Sequence, residues 1–273
     1  MRKIIISLNF VFFGLILNAQ LLDNLSIGLE SNTVWYNNDS ETGDFFDTAN
    51  NDSDKHIRSN SYLKIDYNFL ESFTASVQIE SYEPFALLNY SKSYEGTNLG
   101  TYSLNYRNSK LNITAGHFYS QFGSGLVLRN WEDRQLGINN ALKGIRVIFT
   151  PTDYLDLTGI YGKTRNGFDV SEGITQGIDA NLNISEALKI DRIDLDLGAS
   201  YVGRYQNNGT NDTIPSTVNA YGGRLNFVAG DFYGGVEAII KDPDVIANEG
   251  QLSSNKLYDG TAMQIDLGYA DRK

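Results

Sequence analysis

The side chains best suited to chemistry crowd into Gly116 to Gly144, GHFYSQFGSGLVLRNWEDRQLGINNALKG, with Arg146 just beyond. Arg129, Glu132, Asp133 and Arg134, with Lys143 and Arg146, put charges of both signs into this short span. Such a set builds an internal ion-pair network with two uses. It is either a charged constriction whose field sorts solutes, or a plug whose arginines neutralise wall carboxylates such as Glu80, Asp194 and Asp196. Gly116, His117, Gln121, Gly123, Gly125, Trp131, Asn139 and Asn140 form the framework, since buried backbone must find hydrogen-bond partners and buried charges must be paired. Asn130 as an N-cap, with Asp133 three residues on and Gly137 at the far end, predicts a short helix over Trp131 to Leu136.

Other chemistries fit less well. His56 and His117 are the only histidines. Ser120 and Ser124 lie near His117, but no nucleophile motif surrounds them, so His117 is read as capping or packing a strand end. Gly123-Ser124-Gly125 lacks the Lys-Ser or Lys-Thr of a phosphate loop. Asn37 to Lys55 is rich in oxygen ligands without the Gly and terminal Glu of a calcium loop, and reads as a solvated loop. The chain has no Cys, which excludes disulfides, a lipoprotein anchor and thiolate metal sites. No catalytic residue, metal or cofactor is expected, and the chain is not read as an enzyme.

The segments that must position this stretch share a period of two. In Ile57 to Phe69, apolar Ile57, Leu63, Ile65, Tyr67 and Phe69 alternate with Arg58, Asn60, Lys64, Asp66 and Asn68. Charges of both signs in mid-strand belong to the lumen of a membrane barrel. The pattern gives about twelve strands. They span 24–37, 57–69, 72–83, 99–107, 111–118, 144–150, 154–163, 173–185, 192–205, 217–228, 231–241 and 257–270. Their connections alternate between tight turns and long loops at 38–56, 84–98, 119–143, 164–172, 206–216 and 242–256, the habit of outer-membrane barrels. Tyr67, Phe69, Phe73, Tyr106, Phe149, Phe227 and Phe232 sit beside the tight turns, where an interfacial aromatic girdle belongs. Seventeen Tyr, fourteen Phe, 26 Gly and four Pro suit such a fold.

At the N-terminus Arg2 and Lys3 precede an apolar run to Leu17, and Leu17-Asn18-Ala19 resembles a cleavage site. Residues 1–19 therefore read as a signal peptide and 20–273 as an outer-membrane β-barrel domain with an internal loop at 119–143. The formal charge of −11 becomes −13 once Arg2 and Lys3 are removed, which argues against a nucleic-acid or anionic-membrane surface role. The charged end Asp271-Arg272-Lys273 is unlike the aromatic residue that usually closes the last strand. It suggests a truncated portion of a larger barrel, since an open sheet edge is not tolerated in lipid.

The block formed by Gly116 to Tyr119, Gln121 to Gly125, Arg129 to Arg134 and Asn139 to Ala141 resembles the signature of an uncharacterised Bacteroidota outer-membrane family, known only as a domain of unknown function. The resemblance implies location and fold, barrels longer than this chain, and no activity. The expectation is an all-β, antiparallel transmembrane up-and-down barrel in the outer membrane, a porin-like channel for small hydrophilic solutes. The alternative is a non-conducting structural or docking component of an outer-membrane assembly with envelope protein partners.

Overall fold

A computed structural model describes residues 23–35, 57–84, 86–88, 92–207, 214–248 and 251–271. The proposed signal peptide, His56, the Asn37 to Lys55 loop and the final two residues lie outside the described residues. Twelve strands form one antiparallel sheet: β1 (Leu25–Trp35), β2 (Ile57–Phe69), β3 (Phe73–Glu83), β4 (Gly96–Arg107), β5 (Leu111–Phe118), β10 (Leu142–Thr152), β11 (Leu155–Asn166), β12 (Asp169–Asn183), β13 (Asp194–Tyr205), β14 (Thr217–Ala229), β15 (Phe232–Asn248) and β16 (Gln251–Tyr269). Each strand pairs with its sequence neighbours except that β5 pairs with β10, and β1 and β16 are the edges. The short pieces β6 (Gln121–Phe122), β7 (Leu128–Arg129), β8 (Glu132–Asp133) and β9 (Ile138–Asn139) lie in the connection between β5 and β10.

The two faces invert the pattern of a soluble sheet. Arg58, Asn60, Gln78, Glu80, Asp179 and Arg224 are buried, while Leu29 and Leu267 stand 78% and 77% exposed. A wall with its charges inside and its aliphatic side chains outside is built to stand in lipid. The sheet is also curled. Glu80 on β3 and Arg165 on β11 are four strand intervals apart, roughly 19 Å on a flat sheet, yet their side chains form an ion pair. This is the wall of a transmembrane up-and-down barrel.

Beside the tight turns, Tyr67, Phe69, Phe73 and Tyr106 stack in succession, with ring centroids 5.9, 5.5 and 5.0 Å apart. This aromatic row lies where the sequence placed a girdle. Two loop expectations are corrected. The long loop at 164–172 is a tight turn: Gly167 takes φ +64° and Phe168 packs on Tyr82. The loop at 242–256 is mostly strand, since β15 runs to Asn248 and β16 starts at Gln251. Beyond the lipid the outward face need not be apolar, so the period-two signal fades there although pairing continues. Pro243 sits where the β15–β16 register shifts between Lys241 and Asp244. The tail of the strand expected at 173–185 is instead a one-turn helix, α1 (Ile184–Leu188), because Asn183 caps it by accepting from the Glu186 amide.

Candidate functional site

The stretch from Tyr119 to Ala141 leaves the wall and folds inside it. Phe118 and Leu142, on either side, are register partners, so the excursion begins and ends at one point of the β5–β10 ladder. It is two small hairpins, β6 with β7 and β8 with β9. The helix expected over Trp131 to Leu136 is absent. Glu132 pairs with Asn139 and Asp133 with Ile138, and Gly137 takes φ +65° in the turn between them. Asn130 donates to the Asn140 carbonyl at 2.9 Å, while Asp133 accepts from the amides of Gln135 and Leu136 at 2.9 and 3.0 Å. The same residue types cap either a helix or a turn, and six residues are too few for helical nucleation to prevail.

Three contacts hold the loop across the lumen. Arg134 reaches Glu30 on β1, donates to Gln78 on β3 at 3.0 Å and to Glu132 at 3.3 Å, and lies 4.1 Å over the Tyr62 ring. Opposite, the Ser124 amide donates to the Glu237 carboxylate on β15 at 2.7 Å. Gly123 takes φ +56°, a left-handed conformation that favours glycine, in the turn that presents this amide. Between them Phe122 and Leu128 join the wall residues Phe118, Leu142, Ile160 and Val202 in a small apolar core. Gly177 on β12 leaves the hollow for Phe122, whose ring an added Cβ would meet at 2.9 Å. Along the sheet β1 lies four strand intervals from β5 and β15 five from β10, so the loop reaches wall strands far from where it leaves the ladder.

The remaining named residues fall into place around these contacts. Arg146 donates to the Tyr119 carbonyl at 2.7 Å and to Thr114 at 3.4 Å, and among the described residues it makes no ion pair. Arg129 is exposed and stacks 4.4 Å over Trp131, so it neutralises no wall carboxylate. Glu80 pairs with Arg165 rather than with a loop arginine, and Asp194 accepts from Asn183 at 2.8 Å. The geometry thus joins Glu132 to Arg134 and Arg146 to the loop backbone, and leaves Arg129 and Asp133 apart. Asn139 bridges Tyr119 and Glu132, at 3.1 and 3.0 Å, and Asn140 accepts from the Trp131 amide at 2.6 Å. Gln121 donates to the Gly123 carbonyl at 3.0 Å, and Gly125, with φ +100°, donates its amide to Phe122 at 3.0 Å. Burial pushes the Tyr119 hydroxyl well above the ordinary phenol range, so it stays a neutral donor.

Gly116 and His117 shape the wall. A Cβ on Gly116 would lie 2.4 Å from the Tyr102 carbonyl, so only glycine lets β4 and β5 approach there. The β4–β5 ladder stops at Ser103 and Gly116, and the next amide, that of Tyr102, donates to His117 Nδ1 at 3.2 Å. His117 thus takes the amide that the ladder leaves unpaired. Sequence reasoning missed Arg165, because it lay in an expected loop, and Glu237, whose only signal was a charge on the polar parity of its strand. Glu237→Gln, which exchanges a charge-assisted bond for a neutral one, is expected to cost about 1–2 kcal/mol in urea unfolding. It should also open 119–141 to limited proteolysis; a loop as resistant as the wild type's would show that Glu237 does not hold it.

A polar cavity of about 380 Å³ remains between the loop and the β2–β5 and β10 wall, lined in part by Lys64, Gln78, Thr114, Glu132, Arg134 and Arg146. Among the described residues there is no cluster of side chains able to hold a metal ion.

Comparison with known proteins gives a family model described as a family of unknown function, DUF6029, matching residues 1–273. No curated protein matches the chain. Among solved structures, the chain is similar to the NanC porin at 11% identity, covering 78% of this chain and 93% of that one with a TM-score of 0.35. OccK1 (OpdK) of Pseudomonas aeruginosa is matched at 11% identity and a TM-score of 0.47, over 90% of this chain. A BenF-like porin from Pseudomonas fluorescens Pf-5 is matched at 12% identity and 0.41, over 91% of this chain and 78% of that one. The chain spans 62% of the length of OccK1.

Proposed function

The chain belongs to the family of unknown function DUF6029, and for this member we propose a porin-like channel for small hydrophilic solutes in the outer membrane, reached through a cleaved leader at residues 1–19. In this reading the inserted loop is the constriction, with Glu132, Arg134 and Arg146 as its charged rim. The observation that carries it is the polar cavity of about 380 Å³ left between a tethered loop and the charged wall. Fixed charges facing a narrow water-filled gap set which ions enter and how fast. Arg146 is the informative residue, because its charge has no carboxylate partner among the described residues and its loss is not offset locally.

The test is the reversal potential of single channels in planar bilayers under a salt gradient. Wild type should conduct, and Arg146→Gln should shift its selectivity toward cations with the β-sheet signal unchanged. Equal selectivity in the two proteins would remove Arg146 from the rim. A second reading is supported by the apolar packing of Phe122 and Leu128 on the wall. There the loop is a plug, and the barrel is a non-conducting structural or docking component for envelope proteins. A silent wild type would favour it.

A further inference from the structure

We infer that Lys143 and Lys163, flanked by His117 and Tyr102, form a site on the outer surface of the wall for the headgroup of an anionic lipid. Adjacent strands β5, β10 and β11 bring these residues into one row, where Lys143 is the register partner of both His117 and Lys163. The row is about 10 Å wide, two strand spacings. Its face is fixed by the alternation: Ile145 and Tyr161, next along on the same parity, are 43% and 50% exposed, whereas Leu142 and Ile160 are buried inside. The row also has a definite height. It lies near the end where the 119–141 loop and the Gly167 turn leave the wall, above the outward Ile145, Tyr161 and Phe149. Charge meets lipid-facing apolar surface at this level.

Two lysines directly opposite on neighbouring strands repel each other, and neither makes an ion pair among the described residues. Inside the wall Lys64, Arg165, Arg204 and Arg224 each face a carboxylate, and Arg146 is held by the Tyr119 carbonyl. Glu172 lies on β12 two residues from Ile174, the partner of Lys163, and makes no ion pair with it. Lys143 Nζ instead rests 5.3 Å over the Tyr102 ring, which stands edge-on to His117 at 5.0 Å. That contact leans the Lys143 ammonium toward β4, while Lys163 stands on β11 on its other side, so the row offers an anion two cations with no carboxylate between them. At the rim of a bilayer the abundant anion is a headgroup phosphate, and its tails would run down the apolar wall below.

The test is native mass spectrometry of the detergent-solubilised full chain, titrated with phosphatidylglycerol and with phosphatidylcholine. Wild type should hold the anionic lipid about thirtyfold more tightly, at about fivefold per lysine. The double variant Lys143→Gln/Lys163→Gln should lose that preference, Lys143→Arg/Lys163→Arg should keep it, and Lys189→Gln, at the opposite end of the barrel, should not change it. Without anionic lipid, Lys163→Gln should melt at or above the wild-type temperature, because a repulsion has been removed. Equal retention of both lipids by the wild type, or full phosphatidylglycerol retention by the double Gln variant, would overturn the site. If the Gln pair does not fold, loss of preference in the Arg pair would overturn it as well.

Discussion

Glu80→Gln is expected to cost the barrel about 3–5 kcal/mol, the range for removing one partner of a buried ion pair. Glu80 and Arg165 have side chains 0% and 1% exposed, so solvent screening gives little relief. The Glu80 carboxylate also accepts from Gln78 at 2.7 Å and from Tyr82 at 2.6 Å, and the substitution puts an amide where three donors converge. Arg165 would keep its charge with no carboxylate, while its Nε and one Nη already lack a hydrogen-bond partner. The cost also falls on shape, because this pair ties β3 to β11 across the enclosed space. Urea unfolding in detergent, followed by the far-ultraviolet signal, measures the loss. A double change, Glu80→Met with Arg165→Met, should recover much of it, since two apolar groups leave no charge stranded. If the single substitution costs less than about 1 kcal/mol, the pair is hydrated and does not brace the wall.

Excising 119–141 and joining Phe118 to Leu142 through Asn-Gly should raise single-channel conductance several-fold and flatten charge selectivity. The excision is clean because Phe118 and Leu142 already face each other in the ladder, and a two-residue turn of this type fits the strand twist. What leaves with the loop is both obstruction and charge: Phe122 and Leu128 from the apolar core, Glu132 and Arg134 from the cavity rim. Wall residues such as Ile160 and Val202 become wetted, so some stability is lost as well. Circular dichroism would check that the barrel persists. A conducting wild type with larger currents after excision fits the constriction. A silent wild type with a conducting excised form makes the loop a plug, and silence in both moves the function to docking.

These two experiments probe features that differed in legibility. The alternation of Ile57 to Phe69 was readable because lipid on one side and water on the other force opposite chemistry onto successive residues. All twelve wall strands follow from that rule, with their ends displaced where the outer surface leaves the lipid. Arg165 was lost to view because its strand continues past the apolar band into polar residues. The helix expected at Trp131 to Leu136 shows the same limit at short range, since Asn130, Asp133 and Gly137 serve a hairpin turn as readily as a cap.

By itself the chain determined an all-β membrane wall, a break in the alternation after Phe118 and the density of charge within it, because each is a local pattern repeated or broken along the sequence. Only the tertiary structure decided the partners. Arg134 meets Glu30 over 104 residues of sequence and Ser124 meets Glu237 over 113, and no period records such distances. Curling the sheet brings those strands within reach, and the charge that each side chain finds there decides which ones are spent on bracing and which are left to act.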